Sequence, residues 1–184
     1  MRKYCGNCEQ FHEVTAHKEI REYVIKDTKI KAEITILTCN HCNEEIYDKE
    51  TEMANDVIFF DAYKKKKHLL TSHEIIKIRE KYGVSQATFS KILGFGAKTI
   101  TRYENGSIQD ATHDKLIRLM QFEANFFALT LLTKDILTKA EQEKITKKLH
   151  TEKVEKYDYK YDEQTTSTYQ TIVHRQGGLV HDWR

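Results

Sequence analysis

The sequence of 184 residues contains no proline, only seven glycines and only four cysteines. Without proline, the ends of helices and strands have to be inferred from glycine, asparagine, serine and changes in composition. No apolar run approaches the roughly 18 residues that a membrane-spanning helix requires, and the N-terminus lacks the apolar core of a secretory signal. We therefore expect a cytoplasmic chain, in which cysteines are poor candidates for disulfides and good candidates for metal ligands.

Charge is unevenly distributed, although the formal net charge is only +2. Residues 54–110 carry ten Lys and Arg against six Asp and Glu, whereas residues 1–53 carry eight against eleven. The basic excess in the middle third of the chain predicts contact with a polyanion there. A solvated charged face would give the same counts, so charge alone leaves both interpretations open.

Residues 1–50 are predicted to form a small two-stranded unit. Residues 30–36 alternate between apolar and polar side chains, which is typical of a half-buried strand. Residues 19–26 are a less regular partner, and the polar residues between the two segments can form the turn. So small a unit buries too little apolar surface to fold alone, which makes stabilisation by a metal ion physically reasonable.

Two Cys-x-x-Cys pairs, Cys5 with Cys8 and Cys39 with Cys42, enclose this unit. Two intervening residues let both sulfurs of a pair bind one ion from a tight turn, and two pairs complete the tetrahedral S4 site usual for structural zinc. Because all four positions are filled, we expect one structural Zn²⁺ per chain rather than a catalytic ion, with His41 as a bystander. A redox dithiol, an iron–sulfur cluster and free cysteines are the alternatives.

Helical spacing dominates the chain from about residue 51 to residue 149. A connecting helix is predicted over 51–67, with Met53, Ala54, Val57 and Phe60 on one side. Shorter helices are predicted to begin at capping residues and to end at glycines or Asn-Gly. The capping signals are Thr71 with Glu74, then Ser85, then Asp110 or Thr112. Two more helices follow, one apolar over about 122–132 and one over 139–149.

The segment from Ser85 to Gly106 has the pattern of the helix-turn-helix in lambda-repressor-like domains. Gln86 lies at the first turn of one short helix, where its amide can face a phosphate, and Gly94 lets the next helix leave at a steep angle. That next helix, predicted over 97–104, would enter the major groove. A helical bundle with a polar surface is the alternative. The candidate DNA contacts are Gln86, Lys91, Ala97, Lys98, Thr99, Thr101 and Arg102.

These motifs, in this order, resemble the MqsA antitoxin family, whose N-terminal zinc module is also called YgiT-type. The resemblance rests on the first Cys pair, on residues 39–50 and on residues 78–106, and covers about residues 1–125. It implies a structural zinc module that binds a cognate toxin, commonly an mRNA-cleaving enzyme. It also implies a helical domain that dimerises and binds a palindrome upstream of its own operon. By resemblance, Lys98 and Arg102 occupy base-contacting positions, and Lys98 departs from the Asn expected there.

We therefore predict a mostly helical α+β protein: a small zinc-stapled β-hairpin module, a lambda-repressor-like helix-turn-helix domain and a polar C-terminal extension. The expected function is that of a homodimeric repressor of double-stranded operator DNA, acting as a type II antitoxin that autoregulates its operon. A helix-turn-helix regulator without a toxin, for instance of a mobile element, is the alternative. An enzyme is disfavoured because the nine histidines are scattered without catalytic spacing.

The expected divisions follow the changes in pattern along the chain. Beyond about residue 152 the apolar periodicity weakens, which favours an extended or disordered segment. This tail could also be an arm that folds on a partner. The divisions are a zinc module (1–50), a connecting helix (51–70), a DNA-binding domain (71–125), extra helices (126–150) and a polar tail (151–184).

Overall fold

The computed structural model describes residues 1–150, with side chains described as far as residue 148. The predicted polar tail over 151–184 lies outside the described residues. Within the described part, three strands are followed by seven α-helices and a short 3-10 helix. This confirms the predicted mostly helical α+β class. Among these residues, no helix combines the length and the apolar character that crossing a membrane requires.

Three antiparallel strands form the N-terminal sheet: β1 (Arg2–Cys5), β2 (Gln10–Ile25) and β3 (Thr28–Cys39). β2 and β3 form the predicted hairpin. Its two turn residues, Lys26 and Asp27, have φ of 42° and 64°, as a two-residue type I′ turn requires. The prediction of two strands was incomplete, because four residues are too few for β1 to display an alternating pattern.

The first helix, α1 (Lys49–Lys66), packs against β3. Phe59 and Tyr63 form an apolar cluster with Ile30, Ile34 and Ile36 of that strand. The predicted apolar side of this helix was wrong in part: Met53 is 58% exposed and Ala54 is also exposed, whereas Val57 and Phe60 are half-buried beside Gly106. The side that packs is decided by the row of isoleucines on β3, and nothing within residues 51–67 indicates where that row lies.

An asparagine of α1 also forms hydrogen bonds with backbone groups at the open edge of the sheet. The Asn55 side chain accepts a hydrogen bond from the Thr35 backbone N–H at 2.9 Å and donates one to the Thr35 carbonyl at 2.8 Å. Thr35 belongs to β3, which has β2 on its other side. Asn55 therefore occupies backbone groups through which an unprotected edge strand could pair with another chain.

Six further α-helices follow α1, and α2, α3 and α5 begin at the predicted caps. Thr71 and Glu74 form the capping box, and Ser85 and Asp110 accept hydrogen bonds from backbone amides of the helices that they cap. The helix expected over 97–104 begins at Thr99, because residues 97 and 98 belong to the preceding turn. The helices are α2 (Ser72–Lys81), α3 (Gln86–Ile92), α4 (Thr99–Glu104), α5 (Ala111–Leu119), α6 (Glu123–Leu132) and α7 (Lys139–His150).

These six helices share one apolar core. The ring of Tyr82 stacks on Phe126 with ring centroids 3.7 Å apart, and the Tyr82 hydroxyl donates a hydrogen bond to the Met120 carbonyl. Leu137 and Ile145, from the region predicted as extra helices, are buried in the same core. The other buried members include Leu70, Ile75, Ile78, Phe89, Ile92, Leu93, Ile100, Tyr103 and Ile117.

A buried lysine joins α1 to this helical unit. Lys64 is 0% exposed, and its Nζ donates hydrogen bonds to Asp61 Oδ1 at 3.1 Å, Ser72 Oγ at 2.8 Å and the Tyr103 carbonyl at 3.3 Å. Burial lowers the pKa of Lys64, and the carboxylate of Asp61 opposes that shift. One ammonium group therefore connects α1, the first residue of α2 and the last turn of α4.

We predict that Lys64→Ala lowers the free energy of unfolding by about 3 kcal/mol, because it leaves a cavity and removes one of the hydrogen-bond donors to Asp61 together with the donor to Ser72 Oγ. Urea denaturation followed by far-UV circular dichroism would measure the change. Lys65→Ala is the matched control: Lys65 is exposed, and its loss should change stability by less than about 0.5 kcal/mol. Equal stabilities of the two variants would contradict the structural role of Lys64.

Candidate functional site

The four cysteines converge at one end of the sheet. Cys5 ends β1 and Cys39 ends β3, and both are buried, whereas Cys8 and Cys42 lie in the following turns and are half-buried. All four Sγ atoms lie within 4.8 Å of one another, and Cys5 Sγ is 3.6 Å from Cys42 Sγ. Sulfurs bound tetrahedrally to one Zn²⁺ at about 2.3 Å would be about 3.8 Å apart. The donor set and spacing therefore suit a four-coordinate metal ion.

Strand pairing brings the two Cys pairs together. Cys5 is opposite Gln10 in the β1–β2 register, and Val14 is opposite Cys39 in the β2–β3 register, so β2 positions both pairs. The second turn is closed by a hydrogen bond from the Asn43 N–H to the Cys39 carbonyl, with Asn43 at φ 59°. Each Cys-x-x-Cys segment is thus a tight turn at the end of a strand.

The thiols of the cluster have unequal proton affinities. The side chain of Asn7 and the backbone N–H of Glu44 donate hydrogen bonds that lower the pKa of Cys42 to about 6. A hydrogen bond with Cys42 and burial raise the pKa of Cys8 to about 12. Thiolates are the metal-binding form of cysteine, so binding an ion releases the remaining thiol protons and becomes weaker as pH falls.

A second group of polar residues joins α2, α3 and α4. Glu104 is buried and accepts hydrogen bonds from Arg79 Nε at 2.6 Å and Arg79 Nη2 at 3.0 Å. Gln86 Nε2 donates to Glu104 at 2.6 Å, and Gln86 Oε1 accepts from the Thr101 hydroxyl at 2.9 Å. α2, α3 and α4 are therefore held together by one polar network that joins the start of α3 to the end of α4.

The structure places the seven candidate DNA contacts in different environments. Ala97, Lys98 and Arg102 are exposed, Thr101 is half-buried, and Thr99 is only 7% exposed. The side chain of Gln86 is occupied by Glu104 and Thr101, as described above. The exposed polar surface near the start of α4 therefore consists chiefly of Lys98 and Arg102.

Lys91, the remaining candidate, is held by α7. Its Nζ lies 3.0 Å from Glu141 Oε1, and the Thr88 hydroxyl donates to the same oxygen at 2.8 Å. Thr138 and Glu141 form a capping box, the sequence signal that marks the start of α7. The pairing of Glu141 with Lys91, like that of Arg79 with Glu104, had no sequence signal because it joins residues from different helices.

Comparison with known proteins places both groups of residues within one family match. Residues 2–127 match the family described as the antitoxin component of a bacterial toxin–antitoxin system, MqsA. The chain is also 32% identical over 124 residues to the protein named antitoxin MqsA of Escherichia coli (strain K12), which covers 64% of this chain and 88% of the relative. The family match ends within α6, so α7 and Glu141 lie beyond it.

We predict that Cys39→Ser loosens the metal end of the sheet and leaves the helices folded. Hydrogen exchange measured by mass spectrometry should show amide protection around residues 1–14 and 37–46 falling by a factor of about ten or more, or about 1.4 kcal/mol of local stability. The part of β3 that packs on α1 belongs to a separate apolar cluster and should keep its protection. Asn40→Ser, at an exposed neighbour, is the control. A loss of protection throughout α2–α7 would contradict this local effect.

Proposed function

The chain belongs to the MqsA antitoxin family, and we propose that it is the antitoxin of a type II toxin–antitoxin system and represses transcription of its own operon. The observation that carries the proposal is the family match over residues 2–127, which includes both the four-cysteine cluster and the α3–α4 pair. In this proposal the protein acts by binding in the cytoplasm, not by catalysis. Residues 1–50 form the zinc module, 51–70 the connection, 71–125 the DNA-binding domain and 126–150 additional helices.

The metal proposed for the four-cysteine cluster is one Zn²⁺ per chain. The ligands would be Cys5, Cys8, Cys39 and Cys42, a set of four thiolates that favours zinc in a structural site. The ion would supply a cross-link between the ends of β1 and β3 and the turns that follow them. That cross-link would preserve the surface through which the zinc module is proposed to bind the toxin.

DNA recognition is assigned to α4 and the turn before it. Lys98 and Arg102 are exposed and long enough to reach guanine acceptors in the major groove, and Ala97 could contact a thymine methyl group. Thr99 is only 7% exposed and would position α4, whereas the half-buried Thr101 would contact the nearest phosphate. Gln86 would hold α4 through its side chain while the first turn of α3 faces a phosphate.

The operator is proposed to be a palindrome bound by a homodimer. Two copies of α4 related by a two-fold axis would enter successive major grooves about 34 Å apart. A dimer of this kind reads both half-sites with the same residues, so Lys98 and Arg102 of each copy would contribute equally.

We predict that Arg102→Ala weakens binding to operator DNA by about 1–3 kcal/mol, because it removes a base contact. Fluorescence anisotropy of the zinc-loaded protein on DNA from upstream of its own gene, with scrambled DNA for comparison, would measure the loss. Lys77→Ala, which removes an equal charge from an exposed position on α2, should have a much smaller effect. If wild-type protein does not prefer the upstream DNA, or if both variants bind equally, the assignment of α4 as the reading helix is wrong.

Lys91 is proposed as a phosphate contact that has to be released from Glu141. Lys91→Ala should then weaken binding to operator and scrambled DNA alike and reduce the slope of log affinity against log salt by about 1. Glu141→Gln removes the competing carboxylate and should strengthen binding to both DNAs. If affinity and salt slope are unchanged in both variants, Lys91 does not contact DNA and serves only to hold α7 against α3.

The alternative function is a transcription regulator without a toxin partner. A pull-down experiment distinguishes it from the antitoxin. The purified full-length chain should capture the product of a neighbouring gene when the two are co-expressed, and the complex should survive size-exclusion chromatography. Operator binding without capture of such a product would favour the regulator that acts alone.

A further inference from the structure

We propose that a second metal ion binds beside the four-cysteine cluster, held by Cys8, His12 and His41. Cys8 would be shared between the two ions. The second ion would be a borderline or soft cation such as Zn²⁺, for which thiolate and imidazole are suitable ligands. This inference rests on the proposed function only in that the four cysteines bind their own zinc ion first.

The donor atoms have the spacing that such an ion requires. Cys8 Sγ lies 3.5 Å from His41 Nδ1. A sulfur at about 2.3 Å and a nitrogen at about 2.05 Å from one tetrahedral zinc ion would be about 3.6 Å apart. The three residues each offer one ligand atom, and these atoms all lie within 4.8 Å of one another. His41, expected to be a bystander, therefore belongs to a second ligand set.

Three separate segments position these ligands. His12 is on β2 opposite Lys3 of β1, Cys8 lies in the turn between those strands, and His41 lies between two cysteines of the cluster. The rings of His12 and His41 stack with centroids 4.7 Å apart and an interplanar angle of 13°. The same strand pairing and tight turns that assemble the four cysteines thus hold both imidazoles beside Cys8.

The charge of the four-cysteine site with its zinc ion favours binding of a second cation beside it. Four thiolates around Zn²⁺ leave a net charge of about −2, which attracts another cation. The Cys8 sulfur keeps lone pairs after binding one ion and can therefore bridge two. The His12 imidazole makes no hydrogen bond with the described side chains or backbone, and its ring is half-buried. With three protein ligands, the second ion would keep one coordination position for water or an exogenous ligand, unlike the closed S4 site.

The test is a zinc titration of the full-length chain followed by native mass spectrometry. Protein prepared with one zinc per chain should take up a second ion in a distinct step. His12→Ala and His41→Ala should each weaken the second step at least about tenfold, a loss of about 1.4 kcal/mol, and leave the first zinc in place. His17→Ala is the matched control, since His17 is an exposed histidine on the same strand and should not alter either step.

Cobalt provides an independent readout of the shared thiolate. In protein loaded first with Zn²⁺ in the four-cysteine site, a stoichiometric addition of Co²⁺ should produce thiolate-to-cobalt absorption bands, because the weaker-binding Co²⁺ leaves the zinc in place and binds Cys8 in the second site. His12→Ala should strongly reduce these bands, because the second ion loses one of its three protein ligands.

Three outcomes would overturn the proposal. One is that wild-type protein binds no second ion. Another is that all three histidine variants bind it equally, which would indicate scattered surface histidines. Weaker binding of the first zinc in His41→Ala, with no second step in any protein, would show that His41 only donates a hydrogen bond to Cys8. None of these measurements uses DNA or a toxin, so failure here is distinguishable from failure of the proposed repressor function.

Discussion

The ammonium group of Lys64 is fully buried, and its hydrogen bonds to Asp61, Ser72 and the Tyr103 carbonyl connect the two halves of the described chain. A buried charge is tolerated only where such partners are in place, so α1, the start of α2 and the end of α4 have to keep their relative positions. α1 in turn packs on β3. The sheet and α4, the helix that carries Arg102, are therefore connected through α1. In the proposed function, a toxin bound to the sheet would alter DNA affinity through this connection only if it changed the arrangement of α1.

The sheet itself is stabilised at two places by different interactions. Near its hairpin turn, the isoleucines of β3 are covered by Phe59 and Tyr63 of α1. At the opposite end, Leu37 and Ile46 form a small cluster with the cysteines of the candidate metal site. Apolar burial against α1 does not depend on an ion, whereas the cysteine end has too little apolar surface to be stable without one. This division explains why metal binding should control the order of one end of the sheet and not the fold of the helices.

The helical unit continues beyond the part that matches the antitoxin family. α7 buries Ile145 in the common core and brings Glu141 to Thr88 and Lys91 of α3. A hydrogen bond from the Thr138 N–H lowers the pKa of Glu141 to about 2, and the contacts with Lys91 and Thr88 act in the same direction. Glu141 is therefore ionised at neutral pH, and the added helix places a negative charge beside one of the candidate phosphate contacts.

The sequence alone determined the local features: the two Cys-x-x-Cys turns, the hairpin between β2 and β3, and the helix starts at Thr71, Ser85 and Asp110. Each is encoded by neighbouring residues, through side-chain caps, strand alternation or ligand spacing. Tertiary structure decided which side of α1 is buried, why Lys64 differs from the exposed Lys65, and which partners hold Gln86, Lys91 and Glu104. It also decided that His12 lies against His41. These features depend on residues that are distant in the chain and meet only after β3, α1 and the helices have packed, so no local pattern could have indicated them.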